Sequence, residues 1–322
     1  MKPVGSEIQA PQFGASEVEQ IVDIAADNRH LSRERGFLLV SEEREEVGRV
    51  PLDQILAVLI HAHGVTYSNN LLVALADQGS PLVICGSNHA PRAILWPLEG
   101  HFAQGARMRA QWNAKQPLIK QAWKQVVIAK LVMQAAALDA FGAPSEPVRR
   151  LIREVRSGDE SNVEAQAARR YWPLLMGEDF RRDQGAGGTN ALLNYGYTIL
   201  RSAAARAIVA AGLHPTIGLF HANRGNAFSL ADDVMEPFRP LVDCCVKALI
   251  ASGTEDVTPE AKRCLARLIA VDLPSLEGRS PLTTVLGRLT LSLARSYEGG
   301  KPELEFPAAP TAIELRSLGS PE

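Results

Sequence analysis

No stretch of this chain stays apolar for the roughly 18 residues that a membrane-spanning helix needs, and residues 1–20 are polar, with proline and glycine but no apolar signal core. These absences point to a cytoplasmic protein with no membrane partner. The four cysteines, Cys85, Cys244, Cys245 and Cys264, include no C-x-x-C pair, which argues against structural zinc and thioredoxin-type redox sites and leaves reduced core thiols. There is no phosphate loop or dinucleotide fingerprint either, because the glycine cluster at 185–188 lacks the strand-before-helix context that would make it one. What is present is ordinary for a globular protein, 46% hydrophobic and 22% charged, in 322 residues, enough for two domains with their own cores.

A local absence is more informative. From His101 to Leu138 there is no aspartate or glutamate, yet Arg107, Arg109, Lys115, Lys120, Lys124 and Lys130 all fall there. A net charge of −2 argues against a uniformly basic nucleic-acid binder, but a block of positive charge attracts phosphate through counterion release whatever the total. The alternative is a solvated helix face.

The texture of the chain changes near residue 100. Before it, short apolar runs at 35–40, 55–60, 81–85 and 93–96 are punctuated by Gly, Pro, Asn and Asp, with room for a short helix at 69–76. After it, Ala, Leu, Gln and Arg recur with helical periodicity at 116–140, 163–176, 190–211, 230–252 and 259–271. The expected fold class is α+β: residues 1–27 as a peripheral extension, a small β-rich domain over 28–100, a larger all-α domain over 101–298, and a Pro- and Glu-rich tail, 299–322, that reads as disordered. The segment 181–188 reads as a mobile loop.

The segment 218–240 carries the chemistry. His221 ends an apolar run, and Glu236 follows fifteen residues later, preceded by Asp232 and Asp233. Ser229 reads as a helix cap with Asp232 at the third helical position, so the two aspartates have a helix-dipole explanation. Glu236 lies a turn further in, on the same face. Soluble proteins rarely aim carboxylates inward unless positive charge meets them. Upstream, Glu164 extends an apolar stripe through Ala168, Tyr171 and Leu175, although Ser161-Asn162-Val163-Glu164 also fits a capping box. Carboxylates with one imidazole form a mostly oxygen site that suits Mg²⁺ or Mn²⁺ and phosphodiester chemistry. Asn190, Asn194, Tyr197 and Arg201 make a polar stripe on the helix at 190–211, either an inter-helix network or the lining of a DNA path. The pair His61 and His63 lacks a nearby third ligand.

A covalent rival fails on spacing. His221-Ala222-Asn223-Arg224 fits the H-x-x-R of tyrosine recombinases, but the one tyrosine after Arg224 is Tyr297, beyond the reach of a nucleophile supplied in order.

Residues 116–138, 162–176, 190–212 and 218–242 resemble those of the CRISPR adaptation integrases, the CRISPR-associated protein one family, most closely in its type II form. The likeness spans about 28–295, leaving the first 25 residues and the tail after Gly299 without a counterpart. It implies a metal-dependent endonuclease and integrase that inserts foreign DNA fragments as spacers: a fragment 3′-hydroxyl attacks the repeat boundary, with no covalent enzyme intermediate. It implies Glu164, His221 and Glu236 as catalytic metal ligands, with Asp233 at the position of a further acidic residue used in some members. Many relatives carry aspartate where Glu236 stands; glutamate is the type II pattern. It also implies an asymmetric homodimer, with the β-rich domain as the dimerisation domain, a small ferredoxin-like partner subunit, and double-stranded DNA as substrate; the basic block, the polar stripe and the loop after His221 offer Arg107, Arg109, Lys115, Lys120, Lys124, Asn194, Arg201 and Arg224 as candidate DNA contacts. A DNA-binding scaffold without catalysis is the alternative.

Overall fold

The computed structural model describes residues 20–86, 91–95, 97–98, 100–221, 226–275 and 278–319. The chain starts as β1 (Gln20–Ile24), β2 (His30–Glu34), β3 (Phe37–Glu42), β4 (Glu45–Pro51), β5 (Ile55–Ile60), β6 (Thr66–Tyr67), α1 (Asn69–Asp77), β7 (Leu82–Cys85) and β8 (Pro91–Leu95). These strands build two four-stranded sheets, ordered β1-β5-β7-β8 and β4-β3-β2-β6. In the first, β1, β5 and β7 run parallel and β8 is antiparallel. Strand β5, with sequence ILAVLI, is buried at every position, as expected for a central parallel strand covered on both faces.

Helices follow: α2 (Gln104–Trp112), α3 (Gln116–Ala140), α4 (Glu146–Ile152), α5 (Val163–Met176), α6 (Thr189–Ala210), α7 (Ser229–Met235), α8 (Arg239–Ala251) and α9 (Pro259–Arg267). A hairpin of β9 (Asp272–Ser275) and β10 (Gly278–Pro281) leads to α10 (Leu282–Gly299) and α11 (Ala312–Ser317). The α+β expectation holds, and α3 and α5 begin and end where the periodicity places them. Among the described residues no helix is long and apolar enough to cross a membrane.

Three expectations need correction. Strand β1 lies inside the extension expected to be peripheral; Val22 and Ile24 are buried, and the strand pairs with β5. The described part of the tail, 299–319, is ordered. Leu304 and Phe306 pack on the main core, a Thr311–Glu314 capping box starts α11, and Leu315 is 2% exposed. The Pro and Glu content masks a handful of apolar anchors. Finally, the helix expected over 230–252 is two helices. Pro237 has no N–H to continue the ladder, so Glu236–Phe238 forms a 3-10 turn between α7 and α8.

The main core gathers α3, α5, α6, α8 and α10 and takes in Leu56, Leu59 and Val83 from the first sheet. A polar joint sits where the parallel strands meet the helices: Asp23 on β1 accepts from the Tyr195 hydroxyl at 3.0 Å and from the Lys262 ammonium at 2.8 Å. His61 lies beside it, Nε2 at 3.6 Å from Asp23 Oδ1, and so belongs to this joint.

Candidate functional site

Glu164, His221 and Glu236 come from three separate places: the first turn of α5, the loop before α7, and the 3-10 turn after it. The structure draws Glu164 and Glu236 together around a residue from a fourth, Lys130 of α3, and leaves His221 near enough to Glu236 for their charges to interact. The Lys130 ammonium bonds Glu164 Oε1 and stands 2.5 Å from Glu236 Oε2. Burial works against the charges of both Lys130 and Glu236, yet the pair is stabilised. The carboxylates raise the Lys130 pKa, while Arg239 and Lys130 hold the Glu236 carboxyl down at about 2. Arg239 Nε lies 3.0 Å from Glu236 Oε1.

The capping box that Ser161-Asn162-Val163-Glu164 also fits does not form. Asp159 takes the role instead, accepting from Val163 N at 2.8 Å and Glu164 N at 2.9 Å. Asp159 and Asn162 both adopt positive φ, which folds the carboxylate back over the helix start. The Glu164 side chain is thereby released toward Lys130.

Asp233 is fully buried, and both of its oxygens are engaged. Oδ2 accepts from Leu219 N at 2.5 Å and Phe220 N at 3.1 Å; Oδ1 meets His221 Nδ1 at 2.6 Å. It therefore shapes the loop and orients the imidazole. Gly218 permits this, since a Cβ there would come within 2.7 Å of Asp233 Oδ2. With Nδ1 committed to a carboxylate, Nε2 is the ring nitrogen available to a metal, the usual support for a ligating histidine. The Asp233 bond raises the His221 pKa against the opposing effect of burial. Trp123 stacks on Phe220 at 4.6 Å and meets the imidazole edge-on at 5.7 Å.

Asp232 is no cap either: Ser229 Oγ donates to Asn226 O at 2.8 Å, and Asp232 Oδ1 accepts from Arg201 Nε at 2.6 Å. The stripe on α6 bonds both the loop before it and neighbouring helices. Arg182 donates to Asn190 at 2.9 Å and Asn194 at 2.6 Å, which ties down the loop at 181–188 expected to be mobile. Tyr197 stacks under Arg239, whose Cζ is 4.9 Å from the ring centroid, and donates to Asp243 at 2.5 Å. This is a second layer behind Glu236.

The basic block divides. Lys130 points inward. Arg107 is committed to Ala211 O at 2.9 Å and Glu298 at 3.3 Å, and Arg201 to Asp232. Arg109, Lys115 and Lys120 are exposed and Lys124 is half-buried, although Lys120 pairs with Glu160 at 2.7 Å. Arg224 lies outside the described residues. The sequence places Lys130 in the basic block and does not single out Asp159, whereas the structure turns Lys130 onto Glu164 and Glu236 and Asp159 onto the start of α5. Lys130 stands in the acid-free stretch, where a lysine reads as a surface charge.

Among the described residues no three His, Cys, Asp or Glu side chains stand close enough to hold a metal by themselves; the ammonium lies where the carboxylates meet. The donors nonetheless fit a hard divalent cation, two carboxylates and an imidazole. Glu236 Oε2 is buried, with the Lys130 ammonium at 2.5 Å as its counter-charge.

The sequence profile of the family described as CRISPR associated protein Cas1 matches residues 23–265. The chain belongs to the Cas1 family. A CRISPR-associated endonuclease Cas1 of Neisseria meningitidis serogroup C (strain 8013) is 37% identical over 243 residues, covering 74% of this chain and 79% of its own length. A casposase bound to an integration product has a TM-score of 0.75 at 22% identity, over 89% of this chain and 93% of that one. A chain of a Cas6-RT-Cas1–Cas2 complex has a TM-score of 0.71 at 20% identity, over 92% of this chain and 37% of that one. At these identities the two structures carry the fold, a β-rich domain followed by a helical one.

Proposed function

We propose that this Cas1-family chain is a metal-dependent DNA endonuclease and integrase of the type II-like form, working in the cytoplasm in antiviral defence. It inserts foreign DNA fragments as spacers into a CRISPR array. The observation that carries this reading is the meeting of Glu164 and Glu236 from distant segments at a buried, charge-compensated point, with the charge of His221 acting on Glu236. The Neisseria relative, an endonuclease, supports the reaction class, and the casposase bound to an integration product supports joining.

In the reaction, the 3′-hydroxyl of a fragment gives up its proton as its oxygen bonds to a phosphorus at the repeat boundary; the bond to the departing 3′-oxygen breaks, and that oxygen takes up a proton. Glu164, His221 and Glu236 would hold Mg²⁺ or Mn²⁺, which supplies positive charge at the scissile phosphate and the leaving oxygen. Asp233 fixes the imidazole so that Nε2 serves the site, and Arg239 keeps Glu236 ionised. Tyr297 is buried on α10 at 8% exposure, in keeping with a mechanism that forms no phosphotyrosine. Arg109, Lys115, Lys120 and Lys124 would grip the DNA backbone without reading sequence. The partners are double-stranded DNA, a second copy of this chain through the β-rich domain, and a small ferredoxin-like adaptation subunit. The structural neighbour that sits in a Cas6-RT-Cas1–Cas2 complex supports the last.

A scaffold without catalysis is the second reading, favoured by the pairing of both glutamates with Lys130 and Arg239. The site variants separate the two. His221→Ala and Glu236→Gln should each reduce joining of a 3′-hydroxyl fragment to a repeat plasmid by at least about a hundredfold, with DNA affinity retained. Unchanged joining would leave the scaffold.

A further inference from the structure

Lys130 is at odds with its neighbourhood. A lysine is seldom buried unless paired, yet this one is 7% exposed in the middle of α3, flanked by apolar Val126, Val127 and Leu131. Its pairing is unusual as well. The ammonium contacts one oxygen from each of two glutamates that lie 72 residues apart on different elements. Those glutamates are the two carboxylates to which the proposed metal centre is assigned. Removing the ammonium would leave Glu164 and Glu236 facing each other, with Arg239 as the remaining cation close to Glu236 and Asp233 buried behind His221. Like charges at such range in a poorly solvated site repel strongly.

We propose that Lys130 is a tethered stand-in for the metal: it holds Glu164 and Glu236 converged when no cation is bound, and it gives up its place between them when one binds. This rests on the metal reading above. Lys130 is a positioning residue, acting through the carboxylates. Two consequences follow. The metal-free protein keeps the site assembled instead of splaying two carboxylates. Metal affinity is lowered, because the lysine-occupied form competes with the loaded one and the apparent dissociation constant rises by the inverse of the open fraction. A lysine that merely stabilised the fold would not have the second effect.

The test uses the full-length protein and MnCl2, with binding read by the loss of the free Mn²⁺ paramagnetic resonance signal and stability by thermal melting in chelator. Lys130→Met keeps the length and apolar stem of the side chain. It should bind Mn²⁺ at least about tenfold more tightly than the wild type, melt lower without metal, and recover most of that loss when Mn²⁺ is added. Equal or weaker Mn²⁺ binding by Lys130→Met, with the wild-type site still abolished by Glu236→Gln, would overturn the stand-in role and leave the metal reading intact. Mn²⁺ binding by the wild type that is indifferent to both His221→Ala and Glu236→Gln would overturn the metal reading and the stand-in role with it. Should Lys130→Met not fold, the wild type decides. Pulse acylation followed by mass spectrometry should find Lys130 protected in chelator and reactive with saturating Mn²⁺, while Lys124 is unchanged. Protection of Lys130 that persists with Mn²⁺ would reject displacement.

Discussion

Asp243 is buried between two phenols, accepting from Tyr171 at 2.8 Å and Tyr197 at 2.5 Å. Burial pushes its carboxyl up to about 6, with the two tyrosine bonds and Arg239 pulling the other way. Its ordinary value is 3.8, so between these values the folded chain binds a proton that the unfolded chain has released. Stability from this group therefore falls as pH rises through that window, and the loss is complete above about pH 6. Asp243→Asn removes the titration and retains one acceptor and one donor for the two hydroxyls. It should flatten the pH dependence of urea unfolding between pH 4 and 7 and stabilise the protein at pH 7 by roughly 1–3 kcal/mol; an unchanged slope would reject the assignment. At this scale the sequence is readable where chemistry is local. His221 and Glu236 stand out because an imidazole at the end of an apolar run and a glutamate past a helix start lack simple explanations. Asp159, Asp233 and Lys130 do not. Their roles depend on a positive-φ turn, a folded-back loop and a tertiary meeting of α3 with α5, none of which has a residue-spacing signature.

Elements are legible in proportion to their length. Helix α3, 25 residues long, shows its buried face at Leu118, Ala122, Val126 and Lys130 in steps of four, and its bounds follow from that repeat. Short elements are decided by packing. Strand β1 exists because β5 lies beside it, and α11 exists because Leu315 finds the main core and Arg316 reaches Ala140 O at 3.2 Å. A Cβ on Gly319 would come within 2.3 Å of Ala248, a measure of how closely the tail lies on α8. Leu315→Ala should thus cost about 2–4 kcal/mol in urea unfolding, whereas a detached tail would tolerate it with no measurable change. The break between α7 and α8 is written in Pro237 and Pro240, and the helical repeat conceals it.

At the scale of the whole molecule, exposed cations line α2 and the start of α3, at Arg109, Lys115 and Lys120, with Lys124 half-buried beyond them. If this face holds DNA, the double variant Lys120→Ala/Lys124→Ala should weaken binding on all sequences and reduce the slope of log affinity against log salt by about 0.9 for each phosphate no longer neutralised. An unchanged slope would place the DNA elsewhere. The proposed chemistry joins DNA ends at Glu164, His221 and Glu236. The most direct measurement presents the protein and Mn²⁺ with a supercoiled repeat plasmid and a labelled fragment ending in either a 3′-hydroxyl or a 3′-deoxy terminus. The account predicts label joined to plasmid at the repeat boundary with the hydroxyl fragment and none with the deoxy fragment. Nicked plasmid without joined label, equal for both fragments, would contradict it.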